Sequence, residues 1–327
     1  MKDRFKPFIP ISGMRNRHLQ TVVPIILGRF SSSKTIREEV LLADGDFVDL
    51  DWTTLPVEGD TRPVMLIFHG LEGSSGSHYA KTLMQAAKAN NWIAVVMNFR
   101  GCSGRQNRMS RLYHSGETGD AAYVIDKIKA RFPQAPLYAV GFSLGGNMLL
   151  KLAGEQGSGL PLKALVAVSA PVKLSESVDY MMHGLSRFYQ TYLLRSLKRK
   201  LLKKYSQHDY EALIGLHRQE IVGCKNIREF DNLFTSRIHG FRDAEDYYEK
   251  SSAYQYIATI KRPCLMIHSQ DDPVVVPDIF PAGHRLAEHI DIILTPNGGH
   301  VGFLGGGLLR PEYWLANTIM GYFSRLA

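Results

Sequence analysis

The sequence predicts an α/β fold in which a mostly parallel central sheet carries helices on both faces and is interrupted by one mainly helical insertion. Three observations lead to this prediction. Short apolar, β-branched segments alternate with segments of helical periodicity along most of the chain. An antiparallel hairpin pattern precedes them. Residues 172–262 contain no proline and no strand-like segment.

The composition is that of a globular protein with a large core. Of the 327 residues, 45% are hydrophobic and 21% are charged, and 29 glycines are spread along the chain. These values exclude a disordered or a collagen-like chain. No apolar run approaches the roughly 18 residues that a membrane-spanning helix needs.

The predicted elements begin with a hairpin of residues 39–42 and 47–52, because Asp44-Gly-Asp46 between them favours a turn. Residues 78–90 and 120–130 have the periodicity of amphipathic helices and are expected to connect parallel strands. The strands expected after the hairpin are residues 64–68, 92–97, 137–141, 164–169, 265–268 and 290–294.

These elements divide the chain into a basic N-terminal arm (1–37), an α/β core (38–171 and 263–327) and a helical cap insertion (172–262). The spacing of residues in part of the insertion predicts a basic amphipathic helix, with apolar side chains on one face and Lys and Arg on the opposite face. The apolar set is Phe188, Tyr192, Leu193, Leu197, Leu201 and Tyr205, and the basic set is Arg195, Lys198, Arg199, Lys203 and Lys204.

The net charge of +8 is concentrated outside the core. The arm carries eight Lys and Arg against one acidic residue, and the insertion carries sixteen against eleven, which leaves −4 for the core. We expect no nucleic-acid partner, because helix-turn-helix, zinc-finger and RNA-binding patterns are missing from the sequence. The basic helix has two interpretations: a solvated face over an apolar core, or transient contact with an anionic lipid surface.

The three cysteines, Cys102, Cys224 and Cys264, are too widely spaced for a zinc or redox motif and too few for a disulfide framework. The basic N-terminus lacks the continuous apolar stretch of a secretory signal. We therefore expect a cytoplasmic protein.

Residues 137–146 contain the strongest chemical motif, an apolar strand that runs through Gly141-x-Ser143-x-Gly145 into a helix. A nucleophile at such a turn adopts a strained backbone, so small residues are needed two positions before and after it. Ser143 is therefore the candidate nucleophile, with a plain glycine-rich turn as the alternative. The N–H of Leu144, at the positive end of the helix, is a candidate donor to developing negative charge.

A serine nucleophile needs a base, and the base needs an orienting acid. After the strand at 265–268 the sequence continues into Asp271-Asp272-Pro273, and after the strand at 290–294 it continues into Gly298-Gly-His300. His300 is the candidate base. Asp272 is the favoured acid, and Asp271 is the alternative.

A second oxyanion donor is expected in the loop after the strand at 64–68, where His69-Gly70-Leu71 begins. The N–H of Leu71 is the candidate partner of the Leu144 N–H. His69 has two interpretations, loop shaping or catalytic base, and its position between a strand and Gly70 favours loop shaping.

Together these motifs resemble the α/β-hydrolase superfamily, and more narrowly its family-4 group of YheT-type bacterial esterases and their eukaryotic relatives that act on lipid esters. The resemblance covers nearly the whole chain. The segments that carry it are Arg17-His-Leu-Gln-Thr21, Asp44-Gly-Asp-Phe-Val-Asp-Leu50, His69-Gly-Leu-Glu-Gly73, Asn98-Phe-Arg-Gly-Cys-Ser-Gly104, Tyr113-His-Ser-Gly-Glu117, Gly141-Phe-Ser-Leu-Gly-Gly146 and Gly298-Gly-His-Val-Gly-Phe303.

This resemblance implies an α/β-hydrolase fold and hydrolysis of short-chain or monoacylglycerol-like carboxylic esters without a metal or organic cofactor. The small-molecule ester would react with Ser143 to form an acyl-enzyme that water then cleaves. An acyltransferase that passes the acyl group to an alcohol or thiol would use the same residues and is the alternative. For Cys102 we expect a packing role, and for His114 and Glu117 capping and loop ordering.

Overall fold

The computed structural model describes residues 5–28, 34–279, 286–307 and 310–326. Part of the predicted arm, residues 1–4 and 29–33, therefore lies outside the described residues. The strands are β1 (Ile36–Leu41), β2 (Phe47–Trp52), β3 (Val64–Phe68), β4 (Ile93–Asn98), β5 (Leu137–Phe142), β6 (Ala164–Val168), β7 (Cys264–Ser269), β8 (Ile290–Thr295), β9 (Leu304–Gly307) and β10 (Arg310–Tyr313).

The helices outside the 172–262 segment lie before, between and after these strands. They are α1 (Arg17–Gly28), α2 (His78–Ala89), α3 (Gly119–Arg131), α4 (Leu144–Gln156) and, at the C-terminus, α12 (Trp314–Ser324). Among the described helices, none combines the length and the apolar composition that crossing a bilayer requires.

Eight strands form one mixed sheet in the order β1-β2-β4-β3-β5-β6-β7-β8. The hairpin of β1 and β2 is antiparallel, β2 is antiparallel to β4, and the other neighbours pair in parallel. The carboxyl ends of β3, β5, β7 and β8 therefore reach the same edge of the sheet. The predicted fold class is confirmed.

Helices cover both faces of the sheet because the strand side chains alternate between two apolar cores. Met65 and Ile67 of β3 pack with α2 and α12, whereas Leu66 and Phe68 of the same strand pack with α3 and α4. Every side chain of a strand that is buried on both faces contacts one of the two cores, which explains the continuous apolar segments in the sequence.

The chain between β6 and β7 is helical. Its α helices are α5 (Leu174–Tyr180), α6 (Ser186–Lys204), α7 (Tyr210–Ile214), α8 (Arg218–Gly223), α9 (Ile227–Phe230), α10 (Ser236–His239) and α11 (Ala244–Ser251), with a π-helical turn at Asp231–Thr235 and a 3-10 helix at Ala253–Thr259.

The face predicted for the basic helix is wrong in part. The side of α6 that is buried carries Gln190, Leu194, Leu197, Leu201 and Lys204, so the predicted apolar residues Phe188 and Tyr192 point to solvent at 72% and 74% exposure. Lys204, predicted on the solvent face, is buried and donates to the carbonyl of Asn107 at 2.9 Å. Which face of α6 is buried depends on the elements that pack against it. Aromatic residues at helical spacing do not by themselves identify that face.

Candidate active site

Ser143 lies at the sharp turn between β5 and α4. Its φ and ψ are 51° and −120°, a conformation that non-glycine residues rarely adopt. Its N–H donates to the Val168 carbonyl at 2.8 Å, which ties the turn to the neighbouring strand β6. The strained backbone therefore holds the Ser143 side chain at the carboxyl edge of the sheet.

The glycines of the GxSxG motif are required by close backbone contacts. A Cβ on Gly145 would lie 2.5 Å from the Phe68 carbonyl oxygen, and a Cβ on Gly141 would overlap the Gly145 backbone. A Cβ on Gly70, in the facing loop, would come within 3.1 Å of the Ser143 Cβ. Strand β5, helix α4 and the loop after β3 can approach this closely only with Gly141 and Gly145, and a side chain at Gly70 would be a tight fit.

His300 is hydrogen-bonded to both Ser143 and Asp272. Its Nε2 lies 2.9 Å from the Ser143 Oγ, and its Nδ1 lies 2.9 Å from Asp272 Oδ2. Because a carboxylate can only accept hydrogen bonds, the neutral imidazole of His300 carries its proton on Nδ1, and its Nε2 is free to accept from the serine. Asp272 is buried, and its other oxygen accepts the N–H groups of Val274 and Val275 at 2.8 and 3.0 Å.

Asp271 makes different contacts from Asp272. Its Oδ1 accepts the Gly299 N–H at 2.9 Å, so it holds the backbone of the loop that carries His300 rather than the imidazole. The structure thus brings together Ser143, Asp272 and His300, and it places Asp271 beside them as a support.

Helix α1 supports the histidine loop from the other side. The Thr21 hydroxyl accepts the His300 N–H at 2.9 Å, and the Gln20 amide bonds both the N–H and the carbonyl of Leu304, at 2.8 and 3.1 Å. A Cβ on Gly302 would overlap the Gln20 carbonyl. The residue pattern of α1 predicts no contact with the histidine loop. The signal that could have pointed to α1 is the Arg17-His-Leu-Gln-Thr21 segment, which belongs to the family resemblance.

The backbone N–H groups of Leu71 and Leu144 remain available at this edge. Neither has a hydrogen-bond acceptor among the described residues. Leu144 begins α4, and the first-turn N–H groups of a helix have no partner within the helix. By contrast, the neighbouring N–H groups of Gly70 and Glu72 donate to the hydroxyls of Tyr79 and Tyr113. A negatively charged oxygen beside Ser143 is the kind of group that two free donors would stabilise.

His69 is fully buried and shapes this loop. One ring nitrogen, Nδ1, lies 2.7 Å from the Gly70 carbonyl, and the other accepts the Phe99 N–H at 3.0 Å. Burial lowers the pKa of His69 to about 4, so its ring is neutral near pH 7. Both nitrogens are occupied by backbone groups, which leaves none to act as a base.

The same loop is held to the 172–262 segment by an ion pair. Glu72 accepts from Lys200 of α6 at 2.6 Å and from Ser196, one turn earlier, at 2.7 Å. Lys200 also lies 3.2 Å from the Cys102 Sγ. Burial raises the pKa of the Cys102 thiol to about 11, so this cysteine is a packed thiol and not a thiolate nucleophile at neutral pH.

Asn98, the last residue of β4, and Arg100, two residues later, connect neighbouring loops. Asn98 Nδ2 donates to Asp51 at 2.8 Å, and the buried Arg100 donates to Asp120 at 2.6 and 2.7 Å and to Asp46 at 2.9 Å. Neither residue lines the cavity beside Ser143. Their contacts indicate a structural role.

His114, Glu117 and His239 each offer one ligand atom, and these atoms lie within 4.8 Å of one another. Their contacts do not favour a cation. The His114 Nδ1 accepts the Gly116 N–H, so the neutral ring carries its proton on Nε2, and the Arg111 guanidinium pairs with Glu117 at 2.7 Å. This arrangement fits the ordering of the loop before α3.

A cavity of about 480 Å³ opens above Ser143 and His300. Its wall is mainly apolar and aromatic, which is typical of sites for small organic ligands. The wall residues contributed by the 172–262 segment include Leu174, Tyr192, Leu197, Phe230 and Phe234.

Residues 63–306 match the family model described as the α/β hydrolase fold. Over 312 residues the chain is 44% identical to the Escherichia coli K12 protein YheT, which its name describes as an esterase; the match covers 95% of this chain and 91% of that protein. It is 32% identical to the monoacylglycerol lipase of Saccharomyces cerevisiae over 252 residues, which cover 75% of this chain and 55% of the lipase.

Among solved structures, mouse α/β hydrolase domain-containing protein 10 has a similar fold, with a TM-score of 0.55 at 14% identity over 89% of this chain and all of the mouse chain. At that identity only the fold is shared. The match of three quarters of the chain to the family model and the near full-length similarity to YheT show that this chain belongs to the α/β-hydrolase family.

Proposed function

We propose that this protein hydrolyses carboxylic esters through Ser143, His300 and Asp272. The observation that carries the proposal is the His300 imidazole, which is 2.9 Å from the Ser143 Oγ on one side and 2.9 Å from the Asp272 carboxylate on the other. The α/β-hydrolase fold and the names of the relatives, esterase and monoacylglycerol lipase, support this type of reaction.

In the proposed reaction His300 Nε2 takes the proton of Ser143 as the Oγ attacks the ester carbonyl carbon. The N–H groups of Leu71 and Leu144 stabilise the negative charge that develops on the carbonyl oxygen. His300 then gives its proton to the leaving alcohol. Water, activated in the same way, cleaves the acyl group from Ser143 and restores the serine.

Asp272 orients the imidazole and stabilises its charged form. Its own position is set by the Val274 and Val275 N–H groups. It stays ionised through the cycle while His300 gains and loses the proton.

For the substrate we propose a short-chain or monoacylglycerol-like ester. The cavity of about 480 Å³ is within the range that holds one small organic ligand. The 172–262 segment acts in this proposal as a cap whose apolar side chains contact the acyl chain.

The substrate proposal is tested by rates on p-nitrophenyl esters of increasing chain length, on a monoacylglycerol and on an amide. A Phe234→Ala variant should shift the preferred acyl-chain length to longer chains. An unchanged preference would exclude contact of Phe234 with the acyl chain.

The nucleophile is tested by Ser143→Ala. Removal of the hydroxyl should lower kcat for a p-nitrophenyl ester by more than about a thousandfold and abolish labelling by a fluorophosphonate. Ser177→Ala, which changes another serine on the cavity wall, should retain both. Labelling of the Ser143→Ala protein would overturn the assignment.

The acid is tested by a matched pair in the same assays. Asp272→Asn should lower kcat by about 10⁴-fold because the amide favours the wrong histidine tautomer. Asp271→Asn still offers an oxygen to the Gly299 N–H and should lose far less activity. If Asp271→Asn lost more activity than Asp272→Asn, the acid would be Asp271.

Product analysis with added glycerol distinguishes hydrolysis from transfer, since an acyltransferase would form glyceryl ester at the expense of free acid.

A further inference from the structure

The mouth of the active-site cavity is lined by exposed apolar side chains from two helices. Ile25 of α1 and Tyr192 of α6 belong to the cavity wall and are nevertheless 47% and 74% exposed, so they mark where the cavity reaches the surface. The two helices also contact each other, since the His18 ring stacks on Tyr189 and its Nδ1 lies 3.0 Å from the Tyr189 hydroxyl.

Both helices expose several large apolar side chains around this mouth. We call this set the apolar rim: Leu19, Val22, Ile25 and Ile26 of α1, with Leu185 directly before α6 and Phe188 and Tyr192 in its first two turns. Helix α1 rests on the protein through Gln20, Thr21, Pro24 and Gly28, which leaves its apolar side uncovered. Contiguous exposed apolar side chains are uncommon on a monomeric protein and mark a surface that contacts something apolar.

The exposed face of α6 continues from the apolar rim into a row of cations. Arg195, Arg199 and Lys203 follow Tyr192 at intervals of one helical turn, and Arg187 lies beside Phe188. Within the described residues, none of these four has an ion pair or a side-chain hydrogen bond. Five other arginines, in contrast, contact carboxylates: Arg100, Arg105, Arg111, Arg131 and Arg228.

From this arrangement we infer that the apolar rim and the cationic face of α6 dock on an anionic lipid surface, with the mouth of the cavity against the lipid. Apolar side chains next to unpaired cations match a bilayer interface, where acyl chains lie below negatively charged headgroups. A protein partner with an acidic surface patch would match the cations but not the seven apolar side chains of the apolar rim. This inference rests on the proposed function, because a lipid ester would then enter the cavity directly from the surface that holds it.

The inference is tested by co-sedimentation of the full chain with vesicles of phosphatidylcholine alone or with phosphatidylglycerol added. Binding should increase with the phosphatidylglycerol content and decrease with salt. Each cation near an anionic surface changes partitioning by about fivefold, so Arg195→Gln/Arg199→Gln/Lys203→Gln should reduce it by more than tenfold. Lys88→Gln/Lys163→Gln/Lys261→Gln removes three exposed cations on other surfaces and should bind like the wild type.

The apolar contribution is tested separately with Phe188→Ser/Tyr192→Ser. This variant should bind at least about tenfold less well, whereas Val57→Ser, which changes a 68% exposed valine elsewhere, should not. The inference would be overturned if either the triple cation variant or Phe188→Ser/Tyr192→Ser bound vesicles as tightly as the wild type. So would a dimer in analytical ultracentrifugation that Phe188→Ser/Tyr192→Ser dissociates, since a second copy would then cover the apolar rim.

The Ser143→Ala protein separates this inference from the proposed function. It should bind vesicles as the wild type does, with kcat lowered by more than about a thousandfold. If the wild type hydrolyses dissolved esters but never binds anionic vesicles, the docking inference fails alone. If vesicle binding holds but fluorophosphonate labelling survives Ser143→Ala, the assignment of the nucleophile fails alone.

Discussion

At the scale of single residues, the candidate site is built from strained backbone. Within the described ranges six non-glycine residues have a positive φ, and five of them belong to the loops around Ser143: Glu72, Ser143, Ser169, Val301 and Phe303. Each such residue costs of order 1 kcal/mol or more, which hydrogen bonds and packing must offset. The Ser169 hydroxyl, for example, accepts the Val301 N–H at 3.3 Å.

Thr21 shows how one distant side chain holds the base. Its hydroxyl accepts the His300 N–H at 2.9 Å while it donates to the Arg17 carbonyl at 2.8 Å. Thr21→Val removes both bonds without a change of shape. Because a displacement of about 1 Å can cost 100-fold in rate, we expect kcat to fall about tenfold with KM nearly unchanged.

Thr21→Ser keeps the hydroxyl and should restore kcat, which a purely steric role for Thr21 would not predict. Steady-state kinetics on a p-nitrophenyl ester, with circular dichroism to monitor folding, provide the measurement. Equal kcat for Thr21→Val and the wild type would show that the histidine loop does not need this contact.

At the scale of elements, two helices from outside the sheet reach the site. Helix α1 holds the His300 loop through Gln20 and Thr21, and α6 holds the loop after β3 through Lys200 and Ser196. The Lys200 and Glu72 side chains are only 13% and 7% exposed. The loop that carries the Leu71 N–H is thus linked to a helix that also lines the cavity.

Lys200→Met should be strongly destabilising because it leaves the Glu72 carboxylate buried without its cation. Removing one partner of a buried pair costs about 3 kcal/mol or more. Glu72→Gln/Lys200→Met replaces both charges and should recover most of that loss. Urea unfolding of the four proteins of this double-mutant cycle measures the coupling energy, with exposed Lys203→Met as the control. Additive effects of the two substitutions would contradict a direct pair.

At the scale of the whole molecule, burial of uncharged imidazoles makes stability depend on pH. Burial lowers the pKa of His69, His78 and His239 to about 4, from 6.5 in the unfolded chain. The unfolded state therefore binds more protons than the folded state between these values. The stabilisation is complete above pH 6.5 and is lost as the pH falls toward 4.

We expect the free energy of unfolding to fall between pH 6.5 and 4 by about 1.4 kcal/mol per pH unit for each such histidine. Urea titrations across this range measure the slope. His69→Gln should reduce the slope by about that amount, whatever it does to stability at pH 7. A slope that His69→Gln does not alter would mean that His69 binds protons equally in the folded and the unfolded protein.

The fold class and the approximate positions of the eight strands of the main sheet could be predicted from local patterns, whereas strands β9 and β10 were not predicted. Strands β3, β5, β7 and β8 are continuous apolar segments, and the glycines around Ser143 follow from the space that a strand-to-helix turn requires. The two adjacent aspartates could not be distinguished with certainty. Both follow β7, and only the path of the loop decides which one meets the imidazole.

Local patterns along the chain account for the features that depend on near neighbours: strand and helix periodicity, the turn at Ser143, and the residue types that ester chemistry uses. Which faces are covered depends on the tertiary structure. It placed α1, predicted as part of a basic arm, against His300, and it turned Phe188 and Tyr192 of α6 to solvent beside the cavity. Helical spacing shows which side chains share a face, but which face is buried depends on elements that lie more than a hundred residues away along the chain.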